Sequence, residues 1–205
     1  RSYLLKRALH IEVTGFYFKL NNALVQRKDG SGADYYINAG DTKQKGLEVS
    51  ADYNKHFPGS AILRSLQIRG GYTLHDFTYG TLLKDTVNFS GKQLPGVPKN
   101  AVSIAADLNL TMGAYVNLTW YQAGETFLND ANSAKTKGYN LLGARIGFRF
   151  SYGKWMLNFY GGGDNLLDEK YSLGNDINDP RGRFFNAAAL RNYYAGVRIG
   201  HLCKQ

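Results

Sequence analysis

Hydrophobic and polar residues alternate along this chain with a period of two. Between Ala101 and Leu110, Val102, Ile104, Ala106, Leu108 and Leu110 share one side, while Ser103, Ala105, Asp107 and Asn109 take the other. Successive side chains of an extended strand point to opposite faces of a sheet, so this stretch predicts a strand with one apolar face. The pattern recurs seven more times. Leu9, Ile11, Val13, Gly15 and Tyr17 form one such side, and Leu47, Val49, Ala51 and Tyr53 the next. Leu66, Ile68, Gly70, Tyr72 and Leu74 follow, then Val116, Leu118 and Trp120, then Leu142, Ala144, Ile146, Phe148 and Phe150. Trp155, Leu157, Phe159 and Gly161 precede a last set of Tyr193, Ala195, Val197 and Ile199. None of these positions is charged. No segment has the period of an ordinary helix, and Asn186 to Leu190 would make one turn at most.

The opposite sides carry Glu12, Glu48, Asp52, Arg69, Asp107, Arg145, Arg149, Asp164 and Arg198, but no lysine. Small or hydroxylated residues fill much of the rest, among them Ser50, Gly71, Thr73, Thr119, Gly143, Gly147, Gly162 and Gly196. Solvated sheet exteriors usually recruit lysine and glutamate. Arginine, acid and glycine together suit a wall that faces another protein surface or a confined aqueous lumen. The connections point the same way. Thr111-Met112-Gly113 and Ser151-Tyr152-Gly153-Lys154 are tight turns, whereas Gly80 to Lys99, Gly124 to Gly138 and Asp168 to Phe185 are long. Asn54 to Arg64 is longer than a tight turn needs. Short and long connections alternate, which puts turns at one end of the sheet and loops at the other. The expectation is an all-β, antiparallel transmembrane β-barrel, here with about eight strands, short periplasmic turns and long extracellular loops. Such a sheet must close, because an open edge leaves backbone groups unpaired in hydrocarbon. Tyr152 and Trp155 beside a turn, and Trp120, Tyr121, Phe77 and Tyr79 toward the loops, predict aromatic girdles at the two interfaces.

Composition narrows the field. With 43% hydrophobic residues, 15 tyrosines and 11 phenylalanines, the chain is not disordered. Its single cysteine, Cys203, excludes a disulfide scaffold. No apolar run is long enough for a transmembrane helix, which does not bear on barrel strands. The chain opens at Arg1 without methionine or signal peptide, as a processed protein or a fragment would. Twenty-five basic residues against 16 acidic give a net charge of +9, yet there is no basic cluster or nucleic-acid-binding fold to use it. The histidines His10, His56, His75 and His201 lack metal-site spacing, and no nucleophile elbow, phosphate loop or dinucleotide fingerprint is present. Gly161-Gly162-Gly163 lies inside a strand pattern, where it predicts a kink or the close approach of another element. Enzymatic chemistry, a bound metal and a cofactor are not expected.

Four segments carry a resemblance. Gly163-Asp164-Asn165-Leu166-Leu167-Asp168-Glu169-Lys170-Tyr171 resembles a G-x-x-N-L-F-D-x-x-Y segment of TonB-dependent outer-membrane receptors. Gly182-Arg183-Phe184-Phe185 with Arg191-Asn192-Tyr193-Tyr194-Ala195-Gly196-Val197 is similar to their last loop and strand. Gly46-Leu47-Glu48-Val49 resembles their G-x-E strand, and Ser90 to Pro98 their P-x-x-P entry to a later strand. The final His201-Leu202-Cys203-Lys204-Gln205 departs from the family's usual terminal aromatic. The resemblance implies that residues 1–205 are the C-terminal portion of one outer-membrane β-barrel domain of 22 strands, its plug domain and N-terminal strands lying elsewhere. It further implies a multi-pass protein of a Gram-negative outer membrane, with the surrounding lipid, the receptor's own plug and the TonB complex as partners. The implied ligand is a ferric siderophore or similar iron complex, with Thr73-Leu74-His75-Asp76-Phe77 leaning the same way.

Two sets of residues follow as candidates. Arg27, Lys28, Tyr35, Tyr36, Tyr171, Arg181 and Arg183 lie in predicted extracellular loops, where arginine and tyrosine suit an anionic ferric chelate. The nine charged residues of the polar sides are expected to face the lumen and plug. Two alternatives stand beside this reading: a complete eight-stranded outer-membrane barrel with an adhesive or structural role, and a soluble β-sandwich binding module. The many inward glycines favour part of a wide barrel over the small one.

Overall fold

The computed structural model describes residues 2–4, 8–38, 40–84 and 86–201, and Cys203 lies outside them. β1 (Ser2–Leu4) pairs with β2 (Leu9–Leu20), which leads through a hairpin of β3 (Leu24–Lys28) and β4 (Asp34–Asn38) into β5 (Thr42–His56). A short turn reverses the chain into β6 (Leu63–Tyr79), and the small pair β7 (Leu83–Lys84) and β8 (Val87–Asn88) follows. β9 (Asn100–Leu110) and β10 (Ala114–Ala123) come next, then the pair β11 (Thr126–Phe127) and β12 (Lys135–Thr136). β13 (Tyr139–Tyr152), β14 (Trp155–Asp164), the hairpin of β15 (Ser172–Asn175) and β16 (Phe185–Ala187), and β17 (Asn192–His201) complete the order. The described residues contain no helix, and Asn186 sits in a strand instead of a helical turn.

One antiparallel sheet, ordered β1-β2-β5-β6-β9-β10-β13-β14-β17, forms the wall. Nine strands stand where the alternation predicted eight, because the three-residue β1 was too short to show a period. The sheet is open, with β1 and β17 at its two edges. That geometry is neither a two-sheet sandwich nor a closed eight-stranded barrel.

Register fuses the eight predicted apolar sides into one face. Ile11, Ala51, Gly70, Ile104, Trp120 and Leu142 are successive cross-strand partners, and so are Tyr53, Ile68, Ala106, Leu118 and Ala144. Val13, Tyr17, Ile146, Phe159, Val197 and Ile199 stand exposed on this face with no protein layer against them. An apolar surface of that extent needs a partner, which for a β-barrel is lipid. The buried hydrophobic core lies elsewhere, among the connections: Tyr79 and Leu82, with Phe89 and Leu94 packed on them.

Among the described residues the turn end is tight. Thr111–Gly113 and Gly153–Lys154 reverse the chain with glycines at φ 89° and 59°, the left-handed region that glycine enters without a side-chain clash. The joint predicted from Asn54 to Arg64 shortens to residues 57–62, closed by the Phe57 amide donating to the Arg64 carbonyl at 3.0 Å. At the other end, each long connection folds into its own small hairpin. The predicted outer girdle is only partly there. Trp120 shares the apolar face, but Tyr121, Phe77 and Tyr79 have the opposite parity and turn inward. Their positions one residue off the apolar series decide this.

Candidate functional site

The polar face begins as a chain of cross-strand contacts. All nine charged residues singled out from the sequence (Glu12, Glu48, Asp52, Arg69, Asp107, Arg145, Arg149, Asp164 and Arg198) fall on this one face by register. Arg69 donates to Asp107 at 2.7 Å, and Asn117 donates to the other oxygen of the same carboxylate. Arg145 and Arg149 are held by aromatic rings. The Arg145 guanidinium lies 4.0 Å from the Tyr160 ring centre and donates to the Tyr115 hydroxyl at 3.3 Å, while Arg149 lies 4.0 Å from the Tyr115 ring. Tyr115 in turn donates to Asn158 at 3.1 Å. Arg145, Arg149 and Arg198 have no acidic partner among the described residues.

Tyr115, Tyr160 and Tyr194 are lumen residues that the sequence reading passed over. Tyr115, Gly147, Tyr160 and Gly196 are successive cross-strand partners. The Tyr115 ring covers Gly147, the Tyr160 ring covers Gly196, and Tyr194 covers Gly162 so closely that a Cβ on any of these glycines would overlap it. The inward glycines are therefore not open space, as their number suggested; they seat tyrosines that lie along the wall. This also accounts for the glycine run in β14, where the approaching element is the neighbouring strand's tyrosine. The signal was available: the tight turn at Gly153 sets Gly147 opposite Tyr160.

Above the wall the connections interlock into a cap. Tyr79 donates its hydroxyl to the buried Asp130 at 2.6 Å, and Asn178 donates to the same carboxylate oxygen at 3.1 Å. The Asp130 amide returns a bond to the Asn178 side chain at 2.9 Å. Gln93 and Asn132 exchange bonds of 2.8 and 2.9 Å, and the Gly96 amide donates to the Phe127 carbonyl at 2.8 Å. Three connections are thus tied together, and the fourth joins them where the Gly80 amide donates to the Asp41 carbonyl at 2.6 Å.

The segment Asn165 to Tyr171 closes the base of the last connection. Buried Asn165 accepts from the Glu169 amide at 2.9 Å and donates to the carbonyls of Glu169 and Ala189, and Asp168 accepts from the Arg191 amide at 3.1 Å. Tyr171 stacks on Tyr139 with ring centres 4.9 Å apart. It also lines a cavity of 630 Å³ against the polar face, together with Arg69, Ser103, Thr119, Tyr121 and Asp164.

Arg181 and Arg183 project from a turn organised by Asp179, whose carboxylate accepts from both arginine amides at 2.8 and 3.2 Å. Arg183 also reaches that carboxylate at 3.8 Å. Burial raises the Asp179 pKa, but these donors and the two guanidinium charges outweigh it and hold the carboxyl below its ordinary value. Arg181 lies at the tip of the β3–β4 hairpin, its Nη2 3.1 Å from the point a Cβ on Gly32 would occupy. Asp29 shapes that tip, accepting from the amides of Ser31, Gly32 and Ala33. Tyr35 and Tyr36 are exposed on β4, on opposite sides of it. The side chains of Arg27 and Lys28 lie outside the described residues. Two of the predicted loop groups therefore meet, the β3–β4 tip and Arg181, while Tyr171 stands apart over the wall cavity.

A family model for the TonB dependent receptor-like beta-barrel matches residues 2–166. The chain belongs to the TonB-dependent receptor family. Its fold is similar to the siderophore receptor PiuA from Acinetobacter baumannii, at 18% identity and a TM-score of 0.68 over 96% of this chain and 26% of that one. It also matches the ferric-catecholate import receptor Fiu from K12 E. coli, at 20% identity and a TM-score of 0.67 over 97% of this chain and 26% of Fiu. The ferric citrate transporter FecA matches at 22% identity and a TM-score of 0.70, over 94% of this chain and 29% of FecA. The chain spans about a quarter of the length of the first two receptors. The TonB-dependent receptors are outer-membrane transport receptors, not enzymes. The open sheet is then part of a wider barrel, with the apolar face toward lipid and the polar face toward the lumen.

Proposed function

We propose that this chain forms the C-terminal part of the barrel of an outer-membrane receptor that takes up a ferric siderophore or another iron complex, with energy relayed by TonB. The observation that carries the reading is the turn that presents Arg181 and Arg183, its backbone held by Asp179, with Arg181 reaching the tip of the β3–β4 hairpin within an interlocked cap. Guanidinium groups carried on a held backbone turn suit an anionic chelate, because their planar donor fork matches its oxygens and the turn itself needs little reordering on binding. Receptors of the same fold carry siderophores, ferric catecholates and ferric citrate in their names, which supports the same class of ligand here. The nine charged lumen residues are assigned to the plug of the same receptor. Arg145, Arg149 and Arg198, lacking acids of their own, call for carboxylates on it.

The test is Arg181→Ala with Arg183→Ala in the full-length receptor, with radiolabelled ferric citrate, a ferric catecholate and a ferric hydroxamate as probes. Uptake of the transported complex should fall about tenfold or more, as expected when charged hydrogen bonds are lost, while the surface level of the receptor stays constant. Unaltered uptake of every complex that the wild type imports would remove these arginines from the site.

A further inference from the structure

Lysine is rare in the wall and sorted to one side of it. Lys19, Lys43, Lys45 and Lys55, the lysines of the main sheet, all have the parity of the apolar face. Three of them cluster at the loop end of β2 and β5. Lys19 is the direct cross-strand partner of Lys43, and Lys45 is the partner of Tyr17. One step further from the loops, the same face carries Gly15, Leu47 and Leu74, the end of the apolar band. The outward loop-end positions of β9, β10 and β13 are Asn100, Gln122 and Asn140, so the positive patch is local to β2 and β5.

Acids only partly offset these lysines. Asp41 lies 3.6 Å from Lys19, and Asp76 lies 3.0 Å from Lys45. Exposed Lys43 has no acidic partner among the described residues. Like charges directly opposite on a sheet destabilise it, so the Lys19–Lys43 pair costs stability unless an anion lies between the two ammonium groups. Lysine stems can also run along apolar surface while their heads reach the headgroup layer.

We propose that Lys19, Lys43 and Lys45 form an outward-facing site for the phosphate groups of the phosphorylated glycolipid of the outer leaflet, with Tyr17 and Leu47 against its acyl chains. Charge complementarity and continuity with the lipid face select this occupant. The proposal rests on the family's place in the outer membrane and is independent of the transported ligand.

The experiment uses the full-length receptor in mild detergent, titrated with purified phosphorylated lipid A and followed by native mass spectrometry. In Lys19→Gln/Lys43→Gln/Lys45→Gln, affinity should fall about fivefold per lysine removed, the worth of one basic residue near an anionic lipid surface. Lipid A stripped of its phosphates should bind the wild type no better than the triple variant binds the intact lipid. Inorganic phosphate should not displace the lipid. Equal affinity of wild type and triple variant for phosphorylated lipid A, equal binding of the dephosphorylated form, or displacement by inorganic phosphate would each overturn the proposal. Lys43→Gln alone guards against a folding defect. It should match or exceed the wild-type melting temperature without lipid, because repulsion is relieved, yet gain less from added lipid A. A lower melting temperature without lipid, or a gain from lipid equal to that of the wild type, counts against the site.

Discussion

Along the wall each long strand is paired with its long neighbours through the backbone over nine to fifteen residues, whereas the paired segments of the cap are two to five residues long and side chains add many of the joins between them. The wall also places its apolar side chains against lipid, while the cap holds the small buried core around Tyr79 and Leu82. In the wall, therefore, identity at one position matters mainly through its face. In the cap, single residues such as Asp130, Asn132, Asn165 and Asp179 each hold two segments or a whole turn. A substitution should be felt through polarity in the one region and through a particular bond in the other.

The largest expected effect is on the wall. Ile104→Arg, in the row with Gly70 and Trp120, puts a charge against hydrocarbon and should cost about 2–4 kcal/mol of barrel stability near the membrane midplane. Asp107→Asn, three residues on and on the other face, disturbs the contacts with Arg69 and Asn117 and should cost only about 0.5–1 kcal/mol, as for other partly exposed ion pairs. Refolding of the full-length receptor in detergent and urea measures both. Equal costs at the two positions would break the assignment of faces.

A smaller effect is expected in the cap, and it should stay there. Asp130→Ala strips the buried acceptor from the Tyr79 hydroxyl and from Asn178, at about 1–3 kcal/mol for donors left unsatisfied. Heat-modifiable migration of the barrel should remain that of the wild type. Protease cleavage within residues 80–99, 124–138 and 165–191 should quicken together, because Asp130 of the second connection bonds Asn178 of the third and Tyr79, the β6 residue from which the first departs. Faster cleavage in only one of them would mean that the cap is not a unit.

The same contrast explains how much was legible in the sequence. The wall was, because a face is written many times over: Val102, Ile104 and Ala106 repeat what Leu47, Val49 and Ala51 already say, and tight turns fix the register between them. What failed there were single positions one step off the series. Phe77 and Tyr79 looked like girdle residues, but their odd numbers in β6 turn them inward. The cap was not legible. Nothing in local periodicity says that Tyr79 meets Asp130, fifty-one residues away, or that Gly32 meets Arg181. The loop arginines were found by residue type alone, and the turn that aims them depends on Asp179, which no motif marks.

The smallest effect concerns that turn and depends on pH. The Asp179 carboxyl titrates below the ordinary 3.8, because the amides of Arg181 and Arg183 and the two guanidinium charges favour its ionised form more than burial disfavours it. With the folded pKa below the unfolded one, the carboxylate's contribution to the turn is fully present above about 3.8 and is lost as pH falls through the lower, folded value. From neutral pH down to that point Arg181 and Arg183 should stay held, and ligand binding should not weaken on this account. Amide exchange at Arg181 and Arg183, corrected for its intrinsic pH dependence, should rise only in stronger acid. Asp179→Asn keeps an oxygen acceptor but not the charge, so exchange there should be faster than in the wild type at neutral pH and flat with acid. An Asn variant with the wild-type acid response would show that another group, not this carboxylate, holds the two arginines in place.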